Sequence, residues 1–305
     1  MIRRLVCLVF LATLPVFLLV SPPTPASSQT SASSRTPALR NAIQALRVGR
    51  YSDALRALEP LARDPDASPE ALRVYARALM EVGRYEEVIR TFQHGSPTAL
   101  GTELANVLGE AHVALGQVEE ARTFFQRAVG EGATDRHRAR LNLGILLWNQ
   151  GEREDALAIF DSFIDLYNTS RARLSAEDLM AVGTAVRYLG VTDPALYQDA
   201  LMAFDDAAEI APDDPRPDLL AGELFLEKSL ATDARESLKP VLERNPRHPR
   251  ALLGQARILD FEGAGGSVDL VREALKVNPR YTDALAFLAH LHLKTEDFRR
   301  AREET

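Results

Sequence analysis

The histidines and the cysteine of this chain do not have the spacing of a catalytic or metal site. Of six histidines, only His290 and His292 lie close together. A separation of two residues places them about 200° apart around a helix, whereas paired metal ligands on a helix stand four residues apart. The single cysteine, Cys7, lies in an apolar N-terminal stretch. The rest of the chain therefore lacks both a thiolate nucleophile and a cysteine-based zinc site.

Other catalytic patterns are also missing from the sequence. The zinc-protease pattern HExxH does not occur, and no serine stands in a GxSxG elbow. The glycine run at 263–266, GAGG, is not followed by the Lys-Ser/Thr pair of a phosphate-binding loop, and no strand precedes it. We therefore predict that the chain is not an enzyme and that it uses neither a cofactor nor a metal ion.

Composition and charge are those of a folded protein that does not bind nucleic acid. Hydrophobic residues make up 46% of the chain and charged residues 26%, and the net charge is −7. Sequence-independent binding to nucleic acid needs a basic surface. The acidic balance predicts that nucleic acid is not a partner.

The N-terminus has the three parts of a secretory signal peptide. Residues 1–4 are basic, residues 5–20 are apolar, and small and polar residues follow from Ser21. Pro15 interrupts the apolar run, which is short for a membrane span of about 20 residues. We predict a signal peptide over residues 1–28, a flexible linker over 29–36, and export to the periplasm or the extracellular space. The alternative is an uncleaved segment, residues 5–20, that anchors the chain in the inner membrane and is its only contact with a membrane.

A helix–turn–helix unit recurs through the rest of the chain. A glycine, a short polar turn and an amphipathic helix appear in register after Gly49, Gly83, Gly116 and Gly151, at spacings of 34, 33 and 35 residues. A period of about 34 residues is that of the tetratricopeptide repeat.

Small and large apolar residues recur within each unit at fixed positions. A small residue in the first helix allows the second helix to cross closely, and it is Ala42, Ala76, Gly109, Gly144, Gly183, Gly222, Ala256 and Ala289. The second helix carries a matching small residue and, four residues later, an apolar one; these pairs include Ala54 with Leu58, Ala121 with Phe125, Ala156 with Phe160, Ala200 with Phe204 and Ala234 with Leu238. Pro212, Pro246 and Pro279 are expected to end second helices.

This register resembles the tetratricopeptide repeat (TPR) family over residues 35–305. The resemblance implies an all-α protein, a right-handed α-solenoid of antiparallel helix pairs that occupies residues 37–305. About seven repeats are complete and an eighth is truncated, with boundaries near 35–68, 69–101, 102–136, 137–175, 176–214, 215–248, 249–281 and from 282. Because the eighth repeat has no complete second helix, we expect the polypeptide to continue past Thr305 or another subunit to cover this end.

The resemblance also implies a binding site for a partner. In this family the first helices line a concave groove that binds an extended peptide or a helix. In the family register the groove residues are Arg73, Arg77, Asn106, Asn142, Trp148, Asn149, Arg187, Tyr188 and Arg257. Arginine and asparagine side chains bind peptide backbone and carboxylate groups, and aromatic rings serve as anchors. Glu70, Glu110, Glu177 and Glu223 interrupt this set.

Three functions are consistent with such a groove. The first is an exported scaffold or adaptor that binds a protein or peptide partner. The second is the TPR portion of a longer envelope enzyme or secretion machine whose other domain lies past residue 305. The third is a glycan-binding module in which Trp148 and Tyr188 stack on sugar rings.

Overall fold

A computed structural model describes residues 27–93, 101–130 and 136–294, and their side chains from residue 37 onward. These ranges contain fifteen α-helices and no strand. The helices are α1 (Ser27–Arg47), α2 (Tyr51–Ala62), α3 (Pro69–Glu81), α4 (Tyr85–Phe92), α5 (Gly101–Ala114), α6 (Val118–Ala128), α7 (Arg136–Gln150), α8 (Arg153–Ser170), α9 (Ala176–Leu189), α10 (Leu196–Ile210), α11 (Arg216–Glu227), α12 (Ala231–Arg244), α13 (Pro249–Phe261), α14 (Ser267–Val277) and α15 (Thr282–Lys294).

The helices form two layers. Each odd-numbered helix packs against the even-numbered helix that follows it, and each even-numbered helix packs against the next odd-numbered one. The odd-numbered helices also contact one another in sequence, from α1 to α3 and onward to α13. They therefore make a continuous inner layer of first helices, with the second helices outside. The predicted all-α solenoid of helix pairs is confirmed.

Within each pair, an apolar side chain of the second helix lies directly on the small residue of the first. A Cβ atom added to Gly109 would lie 2.4 Å from the Phe125 ring, and one added to Gly183 would lie 2.4 Å from the Phe204 ring. At Gly222 the corresponding distance to Leu238 is 2.8 Å. Distances below about 3 Å are too short for carbon atoms that are not bonded. Glycine is therefore required here to bring the two helix axes close.

The turns between paired helices are closed by a left-handed residue. Gly49, Gly83, Gly116 and Gly151 have φ between 71° and 85°. The amide of the residue after the glycine bonds back to the last turn of the helix, as in the bond from Arg50 N to Ala45 O of 2.8 Å. This is the Schellman arrangement that glycine favours. The fifth repeat lacks it, because its loop runs from residue 190 to 195 before α10 begins.

Proline positions match the ends of three second helices. Helices α10, α12 and α14 end two residues before Pro212, Pro246 and Pro279 respectively. Proline has no amide hydrogen, and it disfavours the helical conformation in the residue before it. These helix ends were predicted correctly.

The N-terminal part of the chain differs from the expectation. Residues 29–36, for which we predicted a flexible linker, belong to α1, which begins at Ser27. Residues 27–36 contain neither glycine nor proline. Pro37 does lie inside α1, and because a proline inside a helix removes one backbone hydrogen bond and disfavours the helical conformation in the residue before it, this extension was not expected from the sequence. The signal peptide predicted over 1–28 and the possible anchor over 5–20 lie outside the described residues, apart from Ser27 and Ser28. In the described ranges no helix has the length and apolar character of a membrane span.

We expect a methyl group at residue 109 to destabilise the solenoid. Replacement of Gly109 by Ala forces the added Cβ against Phe125 and should lower the free energy of unfolding by about 1–3 kcal/mol, the usual cost of overpacking. Urea denaturation followed by circular dichroism measures this change. Gly265→Ala, where an added Cβ meets no atom within 4 Å, is the control, and Gly109→Ala combined with Phe125→Leu should recover stability. Equal stability of Gly109→Ala and the wild type would contradict the close crossing.

Candidate functional site

The inner surface carries most of the predicted groove residues, but their charges are largely compensated. Arg73 of α3 forms an ion pair of 2.5 Å with Glu103 of α5. Arg187 of α9 donates from Nε to Glu227 Oε2 of α11 at 2.9 Å and lies 3.6 Å from Glu223. Of the acidic residues that interrupt the groove in the sequence, Glu223 is thus a partner of Arg187.

Glu177 of α9 is the centre of this charge network. Its carboxylate lies 2.8 Å from Arg216, 3.0 Å from Arg138 and 3.8 Å from Arg77. Burial by itself raises the pKa of the Glu177 carboxyl, but Arg216, Arg138 and Arg77 outweigh it and hold this pKa below its usual value. One carboxylate therefore joins guanidinium groups from the second, fourth and sixth repeats.

Arg77 is the least compensated member of the network. Arg138 has a second carboxylate, Glu110, at 2.7 Å, and Arg216 has Asp214 at 2.7 Å. Burial, and next the charge of Arg138, lower the pKa of the Arg77 guanidinium. The sequence places Arg77 on the groove side, and there it is half-buried beside other cations.

Two of the three predicted groove asparagines, Asn106 and Asn142, bond to each other. Asn106 is fully buried, and its Oδ1 accepts a hydrogen bond of 3.0 Å from Asn142 Nδ2. Both amides also donate to Glu110 Oε1, at 3.0 Å from Asn106 and 2.9 Å from Asn142. A buried amide needs such partners, so Asn106 holds adjacent first helices together and does not present its side chain to a ligand.

The predicted aromatic anchors pack between repeats. The Tyr188 ring stacks on Phe160 with centroids 4.8 Å apart and meets Trp148 edge-on at 5.7 Å. The Arg153 guanidinium lies over the Trp148 ring at 3.7 Å, an attractive cation–π geometry. These contacts occupy one face of the Tyr188 ring and one face of the Trp148 ring, and a sugar would stack on such a face, so the geometry does not favour the glycan-binding function. Asn149, the neighbour of Trp148, is exposed beside a small cavity of 130 Å³.

A cavity lies on the inner surface of repeats five to eight. It has a volume of about 540 Å³. We call it the C-terminal cavity, and the residues that give it its character are Arg187, Leu226, Arg257, Phe261, Tyr281 and Asp283. Arg187 and Arg257 were predicted as groove residues, and the other four were not.

The C-terminal cavity combines unpaired charge with exposed apolar surface. Arg257 and Asp283 are exposed, and neither forms an ion pair with another residue of the described ranges. The Arg257 guanidinium lies 5.7 Å from the centre of the Phe287 ring. Phe261 at the cavity wall is 64% exposed. Its sequence position predicts burial, because it follows the buried Ile258 by three residues; it is exposed because α13 ends there and α14 begins only at Ser267.

Comparison with known proteins identifies the family. Models of the tetratricopeptide repeat match residues 45–108, 106–171 and 219–264. The chain belongs to the tetratricopeptide repeat family.

Relatives and solved structures agree with this assignment. Tetratricopeptide repeat protein 37 of Xenopus laevis is 31% identical over 139 residues, which are 44% of this chain and 8% of that protein. The chain thus spans a small part of this relative. A thermophilic TPR protein of Thermus thermophilus is similar in structure with a TM-score of 0.50 and 21% identity, over 63% of this chain and 100% of that one. A chain of the Cut9–Hcn1 hetero-tetramer of the APC/C aligns with a TM-score of 0.52 and 12% identity, over 85% of this chain and 49% of that one.

Metal ligands are not grouped in the described part of the chain. No cluster of three or more His, Cys, Asp or Glu side chains in those ranges has the arrangement of a metal site.

We expect Glu177 to stabilise the inner surface through its three arginines. Glu177→Gln should lower the free energy of unfolding by about 1–3 kcal/mol, because it leaves half-buried guanidinium groups undercompensated. A lowered carboxyl pKa stabilises the fold above about pH 4.5, so the difference from the wild type should shrink as the pH falls below that value. Urea denaturation at pH 7 and at pH 4 measures both effects.

Two further variants make this test specific. Glu243→Gln, in an exposed ion pair with Lys239 at 3.8 Å, should change stability by less than about 0.5 kcal/mol. Arg77→Met in the Glu177→Gln background should restore part of the loss, because it removes the least compensated cation. A loss at Glu177 no larger than the loss at Glu243 would show that the network does not stabilise the fold.

Proposed function

We propose that this chain is an exported scaffold or adaptor and that it binds a protein or peptide partner at the C-terminal cavity. Membership of the TPR family supports a role in protein–protein interaction. The particular partner and the exported location are the parts of the proposal that go beyond the family. No catalytic step is assigned to the chain.

The observation that carries the proposal is the pairing of unsatisfied charge with exposed apolar surface in one cavity. On the inner surface Arg73, Arg138, Arg187 and Arg250 already have carboxylate partners, and Arg187 and Arg250 also line the C-terminal cavity. At the C-terminal cavity, Arg257 and Asp283 lie beside Phe261. Such a site fits a peptide that inserts an apolar side chain and offers a carboxylate to Arg257 and a donor to Asp283.

The size of the cavity is consistent with this occupant. Its volume of about 540 Å³ lies within the usual range for ligand sites, ~300–1,000 Å³. It accommodates a few side chains and not a whole domain. We therefore expect recognition of a short segment of the partner, with the surrounding first helices contributing the rim.

We expect peptides selected on the purified protein to depend on this cavity. Peptides from a random display library, selected on the full chain and then synthesised, should lose at least about tenfold in affinity for Arg257→Glu combined with Phe261→Ala, because both an ion pair and a buried ring are lost. Isothermal titration calorimetry measures the affinities. The matched control is Arg272→Glu combined with Ile210→Ala, which changes an exposed arginine and an exposed apolar residue elsewhere. Two results would contradict the site: equal losses of affinity for the cavity variant and the control variant, or peptides that bind both variants as tightly as they bind the wild type.

We expect export with removal of the first 26 to 28 residues. The support is the basic, apolar and small-residue order of residues 1–28. Mass spectrometry of the N-terminus of the native protein, after cell fractionation, measures the processing. An intact Met1 in the membrane fraction would replace export by anchoring through residues 5–20, and an intact Met1 in the cytosol would contradict export. Neither outcome bears on the C-terminal cavity.

A further inference from the structure

Two turn sequences occur twice each, far apart in the chain. The turns between paired helices of repeats one and two both read Gly-Arg-Tyr, at 49–51 and 83–85. The turns that end repeats six and seven both read Asn-Pro-Arg, at 245–247 and 278–280. The structure brings each Gly-Arg-Tyr turn against one Asn-Pro-Arg turn. We call each such contact a clasp.

The two clasps have the same geometry. Asn245 Nδ2 donates a buried hydrogen bond of 2.9 Å to the Tyr51 hydroxyl, and Asn278 Nδ2 donates one of 2.9 Å to the Tyr85 hydroxyl. Each asparagine Oδ1 accepts from the amide two residues later, at 3.0 Å from Arg247 N and 3.0 Å from Arg280 N. That second bond is an Asx turn, which fixes the direction of the amide.

Glycine is needed in the clasps for space as well as for backbone conformation. A Cβ atom on Gly49 would lie 2.2 Å from Asn245 Oδ1, and one on Gly83 would lie 2.2 Å from Asn278 Oδ1. Gly116 and Gly151 occupy the same position in repeats three and four with similar φ, yet an added Cβ there meets no atom within 4 Å. The same glycine turn therefore contacts a distant part of the chain in repeats one and two, whereas in repeats three and four it only connects the two helices.

Two further contacts lie around the clasps. Arg280 forms an ion pair with Glu86, and its guanidinium lies 5.7 Å from the centre of the Tyr85 ring. On the inner side, Arg77 of repeat two reaches Glu177 of repeat five. A cavity of only about 250 Å³ remains there, lined from α3, α5, α7, α9, α11 and α13. The inner surfaces of repeats two to seven thus face one another across a narrow interior.

From these contacts we infer that the solenoid closes on itself after one superhelical turn, and that the two clasps form a latch. While the latch is closed, the surface around Arg77 and Glu177 does not admit an extended peptide. A partner reaches this surface only after repeats one and two separate from repeats six and seven. The inference rests on the clasp contacts and not on the proposed function, although the two sites adjoin, because Arg250 lines both cavities.

The latch combines buried hydrogen bonds, which hold the two parts of the solenoid together, with a small contact, which allows them to separate. Each clasp buries an asparagine amide and a tyrosine hydroxyl. If either group is removed, the other is left buried without a hydrogen-bond partner in the clasp. The contact is nevertheless limited to the turns, and no helix of repeats one and two packs extensively on one of repeats six and seven in the described ranges. Regions with few buried apolar contacts are those that open locally without global unfolding.

Thiol labelling of the interior tests the latch. Met80 lines the 250 Å³ cavity, so Met80→Cys in a full chain with Cys7→Ser reports access of a polyethylene-glycol maleimide to the interior. Asn245→Ser combined with Asn278→Ser should raise the labelling rate by about tenfold or more, because two buried hydrogen bonds are lost. Gly49→Ala combined with Gly83→Ala should do the same. Small-angle X-ray scattering should show a larger radius of gyration for both clasp variants.

The matched control is Gly116→Ala combined with Gly151→Ala. It imposes the same strain of a left-handed backbone in two turns but does not touch a clasp. Its labelling rate and radius of gyration should equal those of the parent, and circular dichroism establishes that every variant is folded. Met202→Cys, at an exposed position of α10, should be labelled at one rate in all backgrounds.

Three outcomes would overturn the latch. They are equal labelling rates in the clasp and control variants, rapid labelling of Met80→Cys in the parent, and an unchanged radius of gyration in the clasp variants. A parent that is dimeric by light scattering and becomes monomeric in the clasp variants would also overturn it, because the clasps would then join two copies of the chain.

Discussion

The close crossing of two helices within each repeat is the constraint on which the rest of the structure depends. A side chain such as Phe125, Phe204 or Leu238 lies on a glycine that has no Cβ to hold it away. Because this contact recurs at one position per repeat, each pair has nearly the same geometry, and the small rotation from one pair to the next accumulates. Curvature of the whole array is thus a consequence of one local contact repeated along the chain.

Curvature determines how charge is distributed on the inner surface. Neighbouring inner helices bring their arginine side chains close together on a partly buried surface. A guanidinium group without a carboxylate partner would lower the stability of the fold there. Glu110, Glu177 and Glu223 lie among these arginines and share their charges between repeats. The inner surface is consequently a structural network over much of its length. The charges left without partners at the C-terminal cavity are the ones available to a ligand.

The same curvature brings the two ends of the array together. Tyr51 and Asn245 are separated by 194 residues, and their hydrogen bond is buried. The local turn at Gly49 is formed in the same way as the turn at Gly116, through a left-handed glycine that ends the first helix. Only at Gly49 and Gly83 does superhelical closure place an asparagine over the turn. A residue required for local backbone geometry has therefore acquired a second, long-range contact.

Much of the fold was determined by the sequence alone. The period, the small residues at the helix crossing and the prolines that follow the second helices are local features, because each acts within one repeat or between adjacent ones. The positions of Ala76, Gly109 and Phe125 in the core, and the end of α12 before Pro246, could be predicted for this reason. The groove register also put Arg187 and Arg257 on first helices, and both side chains line the C-terminal cavity.

The remaining features depend on the sum of many small rotations, and only the tertiary structure decided them. Whether Arg77 is free or shares Glu177 depends on how near repeat two comes to repeat five. How much of Trp148 and Tyr188 remains exposed depends on how adjacent pairs slide over each other, and both rings are half-buried against Phe160. The meeting of Asn245 with Tyr51 has no local signal, because an error of a few degrees per repeat, summed over a superhelical turn, separates the two turns completely.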